Sequence, residues 1–278
     1  MSATAADGPE DLAAWINHVA GVPAAPGAGQ PGSGSMPRIE LPEATDELLW
    51  GAAASGSGVG LRMPETPARV AGVTTSQGTV VYPLNDTYAL AAQRVDASSA
   101  RALVVLKSAA APQRYRFPVQ VPRGARLVED GAGGAVVGIE RAPGVLVSVA
   151  EIAAPWAKDA RGRAVPTRIR VENGALVQTV SPGPGTPFPV VADPKITWGV
   201  VTGTAYFNRS ETRRIAIYGA TAALAANTLP PPLNVLYSVN AAVVSAKAVS
   251  ANSAKHCLKI KFAAGLFLPS TYRGGYCK

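Results

Sequence analysis

The stretch TRIRVENGALVQTV, Thr167 to Val180, decides the fold class of this chain. Asn173-Gly174 sits between two runs that alternate apolar and polar residues. A two-residue type I′ turn needs positive φ at both central positions, and Asn-Gly adopts it readily, so the pattern predicts a β-hairpin. Upstream, QRYRFPVQVP alternates Tyr115, Phe117, Val119 and Val121 with Arg114, Arg116, Pro118 and Gln120, the signature of a half-buried strand. Short β-branched runs bounded by Gly, Pro, Asp and Asn recur at 69–74, 79–82, 87–95, 100–108, 114–121, 125–129, 134–140, 144–149, 166–172, 175–180 and 187–192. Strands this short and this closely spaced predict a β-sandwich.

Downstream the period changes. Asn208-Arg209-Ser210-Glu211 reads as an N-cap with Glu three residues on. Ile215, Tyr218, Ala222, Ala225 and Leu229 follow at helical spacing, so a helix is predicted over 206–229, stopped by Pro230, Pro231 and Pro232. A second helix fits 233–252, with Val235, Leu236, Val239, Ala242, Val243, Ala246 and Val249 on one face and Asn234, Ser238, Ser245 and Asn252 on the other. CLKIKF then alternates as a strand, and residues 266–277 return as its partner. Cys257 and Cys277 fall at the outer ends of that hairpin, where a disulfide would stabilise by ~3 kcal/mol in the chain-entropy model. The expected fold class is α+β: a predominantly β-sandwich-like N-terminal domain, then an αα-hairpin plus a disulfide-closed β-hairpin.

Residues 1–65 read as a flexible acidic leader, 66–198 as the β-rich domain and 199–278 as the basic module. In the leader, DLAAWINHVAG fits one short helix, and PAAPGAGQPGSGSMP has the composition of a linker. Gly27 to Gly32 match G-x-G-x-x-G, but no strand precedes them and Pro31 opposes a helix start. Residues 1–30 hold no basic or apolar signal-peptide regions, and no apolar run reaches membrane-spanning length. Export therefore implies a signal removed or lost to start-site choice.

Charge divides along the same boundaries. Of 26 basic and 18 acidic residues, the leader holds 2 and 8 and the β-rich stretch 15 and 9. The last eighty hold 9 basic residues and one acidic residue, Glu211. Such asymmetry points to an anionic partner.

The run from Ile152 to Pro194 resembles a module of secreted actinobacterial proteins of unknown function that read APPWAxDAxGxxVPTxxxVxGxxLxQxVxxxxxxxYPVVADP. The matching residues are Pro155-Trp156-Ala157, Asp159, Gly162, Val165-Pro166-Thr167, Leu176, Gln178 and Phe188-Pro189-Val190-Val191-Ala192-Asp193-Pro194. The similarity extends more weakly back to Val59. It implies export and a β-domain followed by a variable tail, and it carries no catalytic residue to this chain.

Chemistry-bearing patterns are sparse. The histidines are His18 and His256, and there is no G-x-S-x-G, P-loop or H-E-x-x-H. Sequence neighbours on a strand point to opposite faces, which opposes a Cys257–His256 catalytic pair. Glu151, Asp159, Glu172 and Asp193 have no spacing that favours acid–base work over loop structure. No enzyme activity, metal or cofactor is expected. Arg213, Arg214, Lys247, Lys255, Lys259, Lys261 and Arg273 are the candidate contacts to an anionic surface. Arg213 and Arg214 are read into a first helical turn, where the helix dipole disfavours cations. The sequence reading is a secreted protein whose β-domain carries a cationic, membrane-active or bacteriocin-like module. The alternative is a surface or cell-wall binding protein. The expected partners are an anionic membrane or a wall polymer; nucleic acid is not favoured, and the oligomeric state is left open.

Overall fold

A computed structural model describes residues 8–21, 23, 38–52, 58–198, 203–223, 229, 233–263 and 266–278. It is a sheet-rich α+β fold. In chain order, α1 (Pro9–Ala20) precedes β1 (Arg38–Glu40), β2 (Leu48–Ala52), β3 (Gly58–Arg62), β4 (Val73–Thr74), β5 (Val80–Tyr82), β6 (Tyr88–Arg94), β7 (Ser99–Leu106) and β8 (Arg114–Gln120). Then come β9 (Ala125–Glu129), β10 (Ala135–Ala142), β11 (Val145–Ile152), β12 (Ala157–Lys158), β13 (Thr167–Glu172), β14 (Ala175–Val180), β15 (Val190–Ala192), β16 (Lys195–Trp198) and β17 (Thr204–Phe207). The chain ends with α2 (Arg209–Tyr218), α3 (Ala220–Ala223), α4 (Leu233–Val239), α5 (Ala241–Ser253), β18 (Cys257–Ala263) and β19 (Leu266–Tyr272).

The chain divides into two units, residues 1–122 with 152–198, and residues 123–151 with 199–278. This differs from the boundaries at 65 and 198. The stretch read as a leader supplies α1, β1, β2 and β3 to the first unit, and β9 to β11 belong with the C-terminal residues. Strand pairing joins segments far apart in sequence, and composition alone does not record it.

In the first unit, one sheet runs β1-β2-β3-β8-β14-β13. The Asn173-Gly174 hairpin forms as predicted, with φ of 47° and 70° at the two turn residues and Val171 opposite Leu176. In the other sheet, β7 pairs with β6, β15 and β16. Every residue of β7 is buried, so it lacks the alternation of a half-exposed strand. Helix α1 lies on one face, its Leu12, Ala13, Ile16 and Val19 packed on Val81, Ala89, Ala91, Leu103, Val105 and Val191. Leu90, Ala92, Ala102 and Val104 alternate to the opposite face and are fully buried as well.

In the second unit the strand order is β9-β10-β11-β17-β18-β19. One face carries Val145, Val147, Ala205, Phe207, Leu258, Ile260 and Phe262, covered by Ile215, Tyr237, Val244 and Ala248 from the helices. The opposite face gathers Val136, Leu146, Tyr206, Cys257 and Tyr272. The sheet bends until the residues after β19 meet the turn after β9. A Cβ on Gly131 would lie 1.8 Å from the Arg273 carbonyl oxygen, and one on Gly275 would lie 1.7 Å from that of Glu129. Glycine is required at both positions. The predicted Cys257–Cys277 disulfide is present, with Cα atoms 5.5 Å apart, and ties the chain end to β18.

Candidate functional site

Helix α2 starts at Arg209 because Asn208 caps it, its side-chain oxygen accepting from Glu211 N–H at 2.8 Å. The Glu side chain does not complete the box, since Asn208 N–H donates to Gly144 O instead. With Arg209 first in the helix, Arg213 and Arg214 fall in the second turn, beyond the strong part of the dipole. Gly219 ends the helix, and the next residue docks on α5, Ala220 N–H donating to Ser245 Oγ at 2.9 Å. Tyr237 in α4 donates its hydroxyl to Ala220 O at 3.2 Å. These two bonds gather the C-terminal end of α2, α4 and the first turns of α5.

The expected helix over 233–252 is two helices broken at Asn240, and the break changes which side is inside. Burial falls on Tyr237, Val244, Ala248 and Ala251, with Leu236 partly covered. Val235, Val239 and Val243, read as part of the apolar face, are 60%, 79% and 52% exposed. Ala242, Ala246 and Val249 also point outward, and Ser245 is turned in to hold Ala220. Ile217 and Tyr218 of α2 are exposed as well. Among the described residues, nine large apolar side chains are exposed, and only Val73 of them lies outside the second unit. The expectations for Ala225, Ala226 and Pro230 to Pro232 lie outside the described residues.

The electrostatics of this surface are one-sided. Arg213 and Arg214 precede Ile217 and Tyr218 by one helical turn, and both are exposed. Lys247 is half-exposed on α5. Glu211, the one carboxylate between residues 199 and 278, is turned in. Burial raises its pKa, partly offset by Arg214 3.6 Å away. Counted over the unit, 12 basic residues stand against 5 acidic ones, a net charge of +7.

The seven candidate cations do not form one cluster. Arg213, Arg214 and Lys247 lie in the helical layer, and Lys255 follows the end of α5. Lys259 and Lys261 alternate with Leu258, Ile260 and Phe262, so they project from the face opposite the helices. Arg273 is exposed after β19. Sequence reasoning named Tyr218, Val239 and Val243 only as part of a helical pattern and did not name Ile217, because an apolar residue gives no local sign of which way it will face.

The residues that carry the family resemblance converge in the first unit. Asp193 Oδ1 accepts from Trp156 N–H at 3.0 Å, and Gln178 Nε2 donates to Asp193 O at 2.8 Å and to Thr167 Oγ1 at 3.1 Å. Burial raises the Asp193 carboxyl to about 6 against the lowering effects of the Trp156 N–H, Arg101 and Lys195. Asp159 organises a turn, its carboxylate accepting from Arg161 N–H, Arg163 N–H and the Arg163 guanidinium. Burial pushes its pKa up, but these bonds and the Arg163 charge more than offset it and leave the group below its ordinary value. Each carboxylate thus has a structural duty. Among the described residues no group of three His, Cys, Asp or Glu side chains is placed to hold a metal.

Comparison with family models, curated proteins and solved structures gives no match for this chain.

Proposed function

We propose that this chain is a non-enzymatic protein of the cell exterior that attaches to an anionic lipid surface through the helical face of its second unit. The observation that carries the reading is the concentration of exposed apolar side chains on α2, α4 and α5, helices that also bear Arg213, Arg214 and Lys247, with Glu211, the one carboxylate on them, turned inward. Soluble domains seldom leave this many large apolar side chains exposed on one helical layer without a partner. Full burial of a valine-sized side chain contributes ~1.5 kcal/mol or more, and each cation near an anionic leaflet about 1 kcal/mol. Several of each are enough for reversible peripheral attachment. No described helix is long and apolar enough to cross a membrane. The disulfide and the family resemblance both accord with an exported protein.

The attachment belongs to the full chain. Residues 199–278 share their sheet with β9, β10 and β11, so release of that segment would strip the sheet of three strands and bare the apolar residues packed on them.

Co-sedimentation of the full chain with phosphatidylglycerol-containing and pure phosphatidylcholine vesicles tests the reading. Binding should favour the anionic vesicles and weaken with salt. V239D/V243D should reduce it about tenfold or more, and R213Q/R214Q should remove mainly the salt-sensitive part. Equal binding to both vesicles, untouched by V239D/V243D, would overturn the proposal.

A further inference from the structure

We propose that Trp50, together with Glu43 in the hollow beside it, binds a saccharide that carries free amino groups. Trp50 lies in β2, opposite Glu40 in β1 and Gly60 in β3. Residues directly opposite one another share a face, and Leu48, two residues earlier, shares it too. That face is the outward one, because the alternating residues Ile39, Leu49, Val59 and Leu61 are buried inside.

Strand β3 puts no side chain beneath the indole. A Cβ on Gly58 would lie 1.8 Å from Trp50 Cζ2, and one on Gly60 would lie 2.9 Å from Cε3. The six-membered ring therefore fills the space between two side-chain positions, over bare backbone. Glycine inside a strand weakens it and marks a place where another group approaches closely. Here that group is the indole. The Trp50 side chain is still partly exposed. A buried tryptophan normally gives its N–H to the protein. Trp198 does so, donating to Val59 O at 2.9 Å. The Trp50 N–H meets no acceptor among the described residues.

Trp50 and Leu48 line a hollow of about 830 Å³ together with Arg38, Glu40, Glu43 and Glu47. Two of the carboxylates are already engaged. Glu47 accepts from Glu43 N–H at 2.8 Å and from Arg69 at 3.1 Å, and Glu40 pairs with Arg38 at 2.8 Å. The Glu43 carboxylate has no partner among the described residues. Covering two glycines is a sufficient duty for one side of the indole. It leaves unexplained the open N–H and the unpaired carboxylate of the hollow that the ring lines.

The ligand follows from this lining. The electron-rich face of an indole attracts cations and the C–H groups of a sugar ring. An ammonium group there would complete Glu43 with a charge-assisted hydrogen bond. Hydroxyl groups donate and accept, so they serve the spare oxygens of Glu40 and Glu47 as well as the Arg38 guanidinium and the indole N–H. A small organic cation would use the indole and Glu43 alone, and an acidic sugar would be repelled by Glu43. An amino sugar uses them all. The inference is independent of the lipid reading, since it uses residues of the first unit only.

Calorimetric titration of the full chain with a β-1,4-linked glucosamine oligomer is the test, at about pH 5.5, where ordinary carboxylates are ionised and sugar amines protonated. The N-acetylated oligomer of equal length runs beside it. The acetylated oligomer should bind about two- to fivefold more weakly, and E43Q should remove that preference. W50A should weaken binding of both oligomers about tenfold. E43Q keeps the test open if W50A disturbs folding. Vesicle binding by a folded W50A chain should match that of the native chain, which separates this site from the lipid surface. Failure of the amine oligomer to bind, undiminished affinity in folded W50A, or a preference for the free amine that E43Q leaves untouched would each overturn the assignment.

Discussion

Helices α1 and α5 are of similar length, 12 and 13 residues, and each lies on an apolar sheet face, yet they treat their outer sides in opposite ways. Helix α1 buries Leu12, Ala13, Ile16 and Val19 and turns Glu10, Asp11 and His18 outward. Polar bonds also hold it. Asn17 Oδ1 accepts from Thr79 Oγ1 and Gln93 Nε2, Lys158 donates to Val19 O, and Arg101 donates to Ala20 O and Gly21 O. The two cations sit at the carboxyl end of the helix, where its dipole favours them. Helix α5 buries Val244, Ala248 and Ala251 and turns Ala242, Val243, Ala246 and Val249 outward. The first helix completes a core. The second has apolar surface left over after its core is complete, and the proposed lipid attachment rests on that surplus.

Substitutions on the two helices sharpen the contrast. Ile16→Ala should cost about 2–5 kcal/mol, read as a lower urea midpoint, because it opens a cavity at a fully buried position. Replacing Cys257 and Cys277 by serine should cost about 2–4 kcal/mol and should free the chain end from β18. V239D/V243D should change the melting transition by less than about 0.5 kcal/mol while suppressing vesicle binding, since both positions are exposed. A large loss of stability in that variant would show that the outer face of α4 and α5 belongs to a core after all.

Asp193 adds a pH test confined to the first unit. Its folded pKa, about 6, exceeds its ordinary value of 3.8, so the folded state holds this proton more tightly than the unfolded chain does. The contribution to stability is therefore full below about pH 4 and is lost as pH rises to about 6. Asp193→Asn should flatten that decline by roughly 1–3 kcal/mol, measured by denaturant unfolding across the window. An unchanged slope would mean that Asp193 is not the group responsible.

Several strands of both units were legible because alternation and turn chemistry are local. The Asn173-Gly174 hairpin, the β8 pattern from Arg114 to Gln120 and the CLKIKF strand all form where the sequence places them. Helix α2 was legible through Asn208 and Glu211, though Tyr206 and Phe207, the end of β17, were read as helix. Less legible were β1 to β3, because Pro, Gly and acidic residues dominate their surroundings. The candidate site was legible as charge but not as surface. Val235, Val239 and Val243 share a face in a continuous helix, but the break at Asn240 gives α4 and α5 separate orientations. Apolar residues almost all round α5 then leave its period without a preferred inner side.

Sequence by itself determined the turns, the strand periods, the disulfide-closed hairpin and the excess of positive charge near the end of the chain. Each depends on residues close together or on composition. Tertiary structure alone decided that residues 123–151 join 199–278, that α1 covers a sheet and that α5 leaves valines in the open. It also decided that β14 lies between β8 and β13, with Arg114 and Arg168 both opposite Thr179. The physical reason is that burial and pairing depend on what lies opposite, and the residue opposite is set by chain closure over tens of residues rather than by its neighbours in sequence.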